Sequence, residues 1–314
     1  MTVLEKFYQG DVRALSKVIS FVENRKDGYQ ELLGKLYLKA GNAVRIGVTG
    51  PPGAGKSTLV NRILNKLVGI DKKIGVVAID PTSPFSGGAL LGDRVRMNEV
   101  PTGGNIYFRS MATRGASGGL ASSTDNIAVV LDAFGFDYIL IETVGVGQVE
   151  LDIIDSCDTI VVAIVPESGD AVQTMKAGLM EIADIMVVNK ADRPGSDNLI
   201  DELTYSLHLQ NHQNIDWDIP IIPTIATKDE NIDVLCDAIM EHYDFCNNNG
   251  QFELRRRKQI ERKIQNIIKN RFYVEFSDQL SGKISFEGLI GEIINREKDP
   301  YEVSNDLYEQ FKKL

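Results

Sequence analysis

The spacing of apolar side chains divides the chain into three textures. Up to about residue 42, apolar positions recur at close to helical spacing: Leu4 and Phe7, then Val12, Leu15, Val18, Ile19 and Val22, then Leu32, Leu33 and Leu36. That period predicts amphipathic helices. Gly10-Asp11 and Asp27-Gly28 supply the turn residues expected to separate them. Between residues 43 and 245 the period changes. Short β-rich runs (Val44–Thr49, Ile74–Ile79, Tyr138–Ile141, Thr159–Val165, Ile185–Asn189 and Ile219–Pro223) alternate with helical stretches. Several runs are apolar at consecutive positions, as strands buried on both faces are. Repeated strand–helix–strand order predicts an α/β fold with a doubly wound, mostly parallel sheet, whose strand carboxyl ends face one ligand crevice.

Beyond residue 245 the chain returns to helix and becomes highly charged. Phe252 to Phe272 contains neither Pro nor Gly, and Ile260, Ile264, Ile267 and Ile268 make a narrow apolar stripe. Such a stripe fits a helix that packs on a partner or on a second copy; packing on the chain's own sheet is the alternative. The organisation expected is an N-terminal helical segment (1–42), an α/β domain (43–245) and a C-terminal helical dimerisation extension (246–314).

Composition narrows the function classes. The chain has 314 residues, 43% hydrophobic and 25% charged, with a formal net charge of -10. An acidic chain of ordinary composition is not built as a nucleic-acid binder. Its one basic run, Arg255-Arg256-Arg257-Lys258, reads as a solvated helix face. Cys157, Cys236 and Cys246 are too scattered for a disulfide framework or a C-x-x-C metal site. His208 and His212 share a helical spacing, but no Glu follows His208 as in a zinc-protease motif. The N-terminal stretch lacks the basic and apolar blocks of a signal peptide, and no run approaches a membrane span, so a cytoplasmic location is expected.

The chemistry is concentrated at predicted strand ends. Gly50-Pro51-Pro52-Gly53-Ala54-Gly55-Lys56-Ser57 follows the run Val44–Thr49 and opens a helix at Thr58. This is a P-loop in its required context. Its glycines let successive backbone N–H groups close around phosphate oxygens, Lys56 brings positive charge to the β- and γ-phosphates, and the Ser57 hydroxyl can ligate magnesium. Magnesium prefers oxygen ligands. Asp80 and Glu142 at strand ends, and Asp93 after a Gly-rich loop, are the acids placed to complete its shell.

A second motif selects the base. The run Ile185–Val188 leads into Asn189-Lys190-Ala191-Asp192, the N-K-x-D pattern. A carboxylate at Asp192 can accept from both N1–H and the 2-amino group of guanine, whereas adenine would leave it unpaired. Asn189 can bond the guanine edge and the neighbouring loop backbone, and the Lys190 stem can lie along the purine face. Thr224-Ile225-Ala226, after Ile219–Pro223, is placed to offer backbone N–H groups to the guanine oxygen. GTP or GDP with magnesium is the expected ligand.

These motifs sit among others: Gly10-Asp11 with Arg13-Ala14-Leu15, Asp80-Pro81-Thr82-Ser83, Gly87 to Arg94, Arg109-Ser110-Met111-Ala112-Thr113-Arg114-Gly115, and Glu142-Thr143-Val144-Gly145-Val146-Gly147-Gln148. Together they resemble, over essentially the whole chain, the MeaB/ArgK family of methylmalonyl-CoA mutase-associated GTPases, whose relatives were also labelled transport-system ATPases or kinases. The resemblance implies a dimeric GTPase that gates adenosylcobalamin loading of an acyl-CoA mutase and protects that mutase. Within it, Lys56, Ser57, Asp80, Asp93 and Glu142 match the phosphate and magnesium residues, and Asn189, Lys190 and Asp192 the base residues. Gly169 to Lys176 matches a segment that communicates with the mutase, although the usual Glu-Leu after Asp170 is Ala171-Val172 here.

The expected chemistry is transfer of the γ-phosphoryl group to water, which is mostly positioning and charge neutralisation. Glu142 would serve the metal shell or orient water. Val146 follows Gly145 where Ras-like GTPases place a water-orienting Gln, and Gln148 lies two residues further on. Slow intrinsic hydrolysis, completed by a partner, is therefore expected, with Gln173 and Lys176 as the candidate completing groups. The rival readings are a nickel-metallochaperone-like GTPase, which clustered Cys and His would favour, and a transport-associated kinase or ATPase, against which the guanine motif argues.

Overall fold

The computed structural model describes residues 1–69, 72–80, 105–112, 119–143, 153–167, 178–209, 217–280 and 286–312. The N-terminal periodicity resolves into three helices, α1 (Val3–Tyr8), α2 (Val12–Glu23) and α3 (Tyr29–Tyr37). They break where the turn residues stand. Asp11 caps α2 by accepting from the N–H groups of Arg13 and Ala14 at 2.7 and 3.0 Å, and Gly28 precedes α3 with φ +83°. Phe7, Leu15, Val18, Ile19, Val22 and Leu36 are buried as the spacing predicts; Val12, at the first position of its helix, is half exposed.

The α/β part contains β1 (Val44–Thr49), α4 (Lys56–Val68), β2 (Ile74–Asp80), β3 (Ile106–Ala112), α5 (Gly119–Phe134) and β4 (Tyr138–Glu142). It continues with β5 (Thr159–Ile164), β6 (Ile185–Asn189), α6 (Ser196–Leu209), β7 (Ile221–Thr224) and α7 (Ile232–Asn248). The described strands form one seven-stranded sheet in the order β3-β2-β4-β1-β5-β6-β7, with every neighbouring pair parallel. From β1 the chain runs out through β2 to β3, returns to insert β4 beside β1, then crosses to β5, β6 and β7, so β1 lies where the winding changes side, the usual place for a ligand in such sheets.

Alternation along the strands explains their unbroken apolar runs. Ile139, Ile141, Ile160, Val162, Ile164, Met186 and Val188 face a core shared with α2, α5 and α6. The intervening Leu140, Val161, Ala163, Ile185 and Val187 face a core shared with α4 and α7. Side-chain period 2 sends neighbours to opposite faces, and both faces are covered. β3 is a strand that apolar patterning misses. Arg109 and Ser110 interrupt it, and it lies at the sheet edge, where Arg109 pairs with Glu23 of α2.

Long helix α8 (Gln251–Leu280) follows, then α9 (Phe286–Ile294) and α10 (Pro300–Phe311). The molecule divides into two compact units, Met1–Gln259 and Ile260–Leu314. In the second, Val303 and Leu307 are buried against Phe276, Leu289 and Ile293. The Ile260, Ile264, Ile267 and Ile268 side chains are 42–52% exposed in the single chain. Among the described residues, no helix is long and apolar enough to cross a membrane.

The basic run at the start of α8 is not a solvated face, which corrects the sequence reading for half of it. Arg255 forks onto Asp184 with bonds of 2.7 and 2.6 Å, and Arg256 forks onto Asp158 with bonds of 2.8 and 2.7 Å. Arg257 and Lys258 keep the expected exposure, Arg257 in an i,i+4 pair with Glu253 at 2.9 Å. Asp158 and Asp184 immediately precede β5 and β6, so the anchor sits at the amino ends of the strands. His242 of α7 joins it, with Nε2 3.2 Å from Asp184 and Nδ1 2.9 Å from the Thr159 hydroxyl. Burial raises the Asp184 pKa, but bonds from Arg255 and His242 outweigh it and bring the carboxyl down to about 2. Burial likewise disfavours the His242 imidazolium, yet the Asp184 carboxylate holds its pKa up at about 9.

Candidate functional site

The carboxyl ends of the central strands gather the phosphate-site residues. The chain leaves β1 at Thr49 and turns through Gly50, where φ is +137° and an added Cβ would sit 1.9 Å from the Ala163 carbonyl oxygen of β5. Gly55, with φ +86°, faces the Asn189 side chain so closely that a Cβ would lie 2.3 Å from Nδ2. Close backbone packing at Gly50, and a left-handed backbone against the Asn189 side chain at Gly55, therefore favour glycine apart from any phosphate. Between them, Pro52 and Gly53 are exposed while Pro51 and Ala54 are buried. α4 begins at Lys56 with no side-chain cap on its first turn, which leaves N–H donors at the mouth of the loop, as anion sites at helix ends require.

Lys56 is 6% exposed, and its ammonium donates to the carbonyls of Gly50 and Pro51 at 2.7 and 2.9 Å. The cation is thus held over the loop by its own backbone. Ser57, one residue on, donates its hydroxyl to the buried Glu142 carboxylate at the end of β4. Register places Glu142 opposite Val48 of β1 and Ala78 of β2. Beside it, the buried hydroxyls of Thr49 and Thr143 share a 2.8 Å bond. Asp80 is the last residue of β2. Asp93, Gln173 and Lys176 lie outside the described residues, as do Val146, Gln148, His212 and the segment Gly169 to Lys176. Ser57 and Glu142 form an all-oxygen pair, which suits a hard divalent cation such as magnesium.

The base-site residues meet at the ends of β6 and β7, where Asn189 pairs with Thr224 in register. Asn189 is 3% exposed, and its amide joins three segments. Nδ2 donates to the Ala54 carbonyl of the phosphate loop at 2.8 Å, while Oδ1 accepts from the Thr224 hydroxyl and the Ala226 N–H, both at 3.2 Å. Its side chain is therefore occupied in tying the phosphate loop to the Thr224–Ala226 loop. The N–H of Ile225 donates to the Glu230 carbonyl at 3.3 Å, so the N–H groups at 225 and 226 already have partners, in Glu230 and Asn189. Lys190 adopts φ +58°, turning the chain sharply out of β6, and Asp192 stands 42% exposed with Lys228 Nζ 3.5 Å from one carboxylate oxygen.

Two contributors carry no motif signal. Arg62 of α4 donates from Nε to the Ala226 carbonyl at 2.9 Å and from Nη2 to the Thr227 carbonyl at 3.2 Å. Lys228 faces Asp192 from the same loop. Their partners lie 36 to 165 positions away in sequence, beyond the reach of local pattern.

Comparison with known proteins agrees with this geometry. The family described as methylmalonyl Co-A mutase-associated GTPase MeaB matches residues 15–280. A Pyrococcus abyssi protein named as a GTPase is 44% identical over 312 residues, covering 96% of this chain and 94% of that protein. The Escherichia coli GTPase ArgK is 32% identical over 263 residues, covering 82% of this chain and 80% of its own. Among solved structures, one described as a LAO/AO transport system kinase superposes with a TM-score of 0.74 at 23% identity, over 99% of this chain and 96% of that one, which establishes the shared fold. On the match across residues 15–280 and the identity to named GTPases, the chain belongs to the MeaB family of methylmalonyl-CoA mutase-associated GTPases and is itself a GTPase.

Proposed function

We propose that this GTPase is a switch protein serving an adenosylcobalamin-dependent acyl-CoA mutase, working as a homodimer in the cytoplasm to gate cofactor loading and protect the mutase. The family's description as mutase-associated is the observation that carries the partner class. The half-exposed isoleucine stripe of α8 supports the dimer, since an apolar row on a single chain calls for a cover.

The nucleotide roles follow from chemistry at each position. Gly50 to Gly55 wrap the phosphates, with Ser57 and Thr58 opening the helix behind them. Lys56 neutralises the β- and γ-phosphates once its ammonium leaves the carbonyls of Gly50 and Pro51. Asn189, Lys190, Asp192 and the Thr224–Ala226 loop hold the base, Asp192 accepting from the guanine edge. Magnesium would be held by Ser57 and Glu142, with Asp80 and Asp93 as further ligands, and would supply charge neutralisation on the phosphate oxygens. The contact between the Ser57 hydroxyl and the Glu142 carboxylate supports that assignment.

Slow intrinsic turnover is expected because Val146 offers no group to orient water. Gln173 and Lys176 are the residues proposed to complete the site when the mutase is bound. Single-turnover GTP hydrolysis, with and without a purified acyl-CoA mutase, tests the reading. Acceleration by the mutase supports a switch; a rate already fast in isolation and indifferent to the mutase overturns it.

A further inference from the structure

We infer that Arg62 is a positioning residue for guanine recognition, acting through Lys228 on the Asp192 carboxylate. The inference rests on the reading of Asp192 as the guanine-binding group and deepens it.

Asp192 must offer both carboxylate oxygens, in one plane, to two neighbouring donors of the base. A carboxylate at a loop surface rotates freely unless something fixes it, and ordering it on binding costs affinity. Asp192 is 42% exposed, and the cation against it is Lys228, 3.5 Å from Oδ2. A cation held on one oxygen leaves the other, and the remaining lone pair of the first, directed toward an incoming base.

Lys228 is on a long, exposed stem and positions nothing unless its own backbone is fixed. It closes a short 3-10 turn, Ala226–Lys228, followed by Asp229 in the left-handed region at φ +63°. The inner edge of this turn is held by Asn189, which accepts the Ala226 N–H. The outer edge presents the carbonyls of Ala226 and Thr227, and the Arg62 guanidinium takes both, at 2.9 and 3.2 Å. Arg62 also stands 3.9 Å from Asp229, and Lys66, one helical turn on, pairs with Asp229 at 3.7 Å and Asp233 at 2.7 Å. The turn is thus gripped by side chains from α4, the helix that opens behind the phosphate loop. A planar fork of donors fixes the direction of two adjacent carbonyls, whereas the freely rotating ammonium of a lysine would orient them less tightly. The consequence is a direct mechanical link: the helix that receives the phosphates also aims the group that reads the base.

The test compares GDP with inosine diphosphate, which lacks the 2-amino group but keeps the phosphates, the sugar and the ring. Calorimetric Kd values for both nucleotides, taken on the full chain, give a preference from which phosphate and stacking contributions cancel. Asp192→Asn should abolish the preference; if it leaves the preference intact, the base-site reading fails and this inference fails with it. With that control in place, Arg62→Ala and Lys228→Ala should each reduce the preference roughly fivefold to tenfold, the scale of one charge-assisted contact. Arg62→Lys should fall between Arg62→Ala and the parent. A merely structural role would lower the melting midpoint or weaken both nucleotides alike. Lys228→Ala, a surface change, keeps the test open should Arg62→Ala fail to fold. An unchanged GDP preference in Lys228→Ala, or in a folded Arg62→Ala, overturns the proposal.

Discussion

The two ends of the parallel sheet both bury charge, and they put it to different uses. At the amino ends, Asp158 and Asp184 meet Arg255, Arg256 and His242 in side-chain ion pairs that satisfy one another. At the carboxyl ends, the contacts of Lys56 include the carbonyls of Gly50 and Pro51, and those of Glu142 include the Ser57 hydroxyl. The first arrangement is a closed circuit of opposite charges. The second sets a cation and an anion at the crevice where the proposed phosphates and magnesium would meet them. A buried charge forked onto its opposite far from any ligand holds structure; one at the ligand crevice also has chemistry to do.

The sharpest way to break this contrast is to remove one partner at the closed end. Arg255→Met should destabilise the protein by about 3–5 kcal/mol, because it removes the guanidinium fork and leaves buried Asp184 to His242 and the Ile160 N–H. Urea unfolding of the parent and the variant measures this, and a loss under about 1 kcal/mol would mean that the circuit does not carry stability. Next in size is pH. With His242 held at about 9 against an ordinary 6.5, its contribution is complete below pH 6.5 and disappears as pH rises through 9. Stability should fall by up to roughly 3 kcal/mol across that window and fall less in His242→Asn. Denaturation midpoints at several pH values decide it, and parallel curves would remove His242 from the circuit.

At the open end, Asp192→Asn should weaken GDP binding about a hundredfold, gain affinity for xanthine nucleotides and leave stability near that of the parent. Titration calorimetry paired with a melting curve reports both. A large stability loss would erase the distinction between the two ends. The smallest expected effect is the control for the largest: Arg257→Ala, two residues from Arg255, breaks only an exposed i,i+4 pair and should cost about 0.3–0.5 kcal/mol.

The same division sets what the sequence discloses. At the carboxyl ends, function sits in contiguous stretches, and the P-loop, Glu142 and Asn189–Asp192 are legible because each motif is shorter than one turn of chain plus its strand. The strands themselves are legible because burial on both faces makes them continuously apolar. β3 is not, since Arg109 and Ser110 break its run; the pairing with β2 and the ion pair from Arg109 to Glu23 are long-range. At the amino ends almost nothing is legible. Arg255 and Arg256 stand beside Arg257 and Lys258 in an unremarkable basic run, and their acids lie 71 and 98 positions earlier. Arg62 is hidden for the same reason: its partners are backbone carbonyls, which any residue provides. Asn189 illustrates a partial success, for the motif marks the residue, while the geometry shows its amide engaged by two loops.

The central position of β1 bears on how the chain is made. Val44 pairs with Tyr138 on one side, and Ile46 with Thr159 on the other. Neither neighbour exists when β1 is synthesised. At about 5–20 residues per second, a nascent chain would carry this apolar strand unpaired for roughly 5–20 s before β4 emerges, and longer before β5 does. Non-local parallel pairing is slow and exposes sticky edges while it waits. Translation speed over residues 50–160 and access to chaperones at the ribosome should therefore govern the yield of soluble protein more than the final stability of the fold.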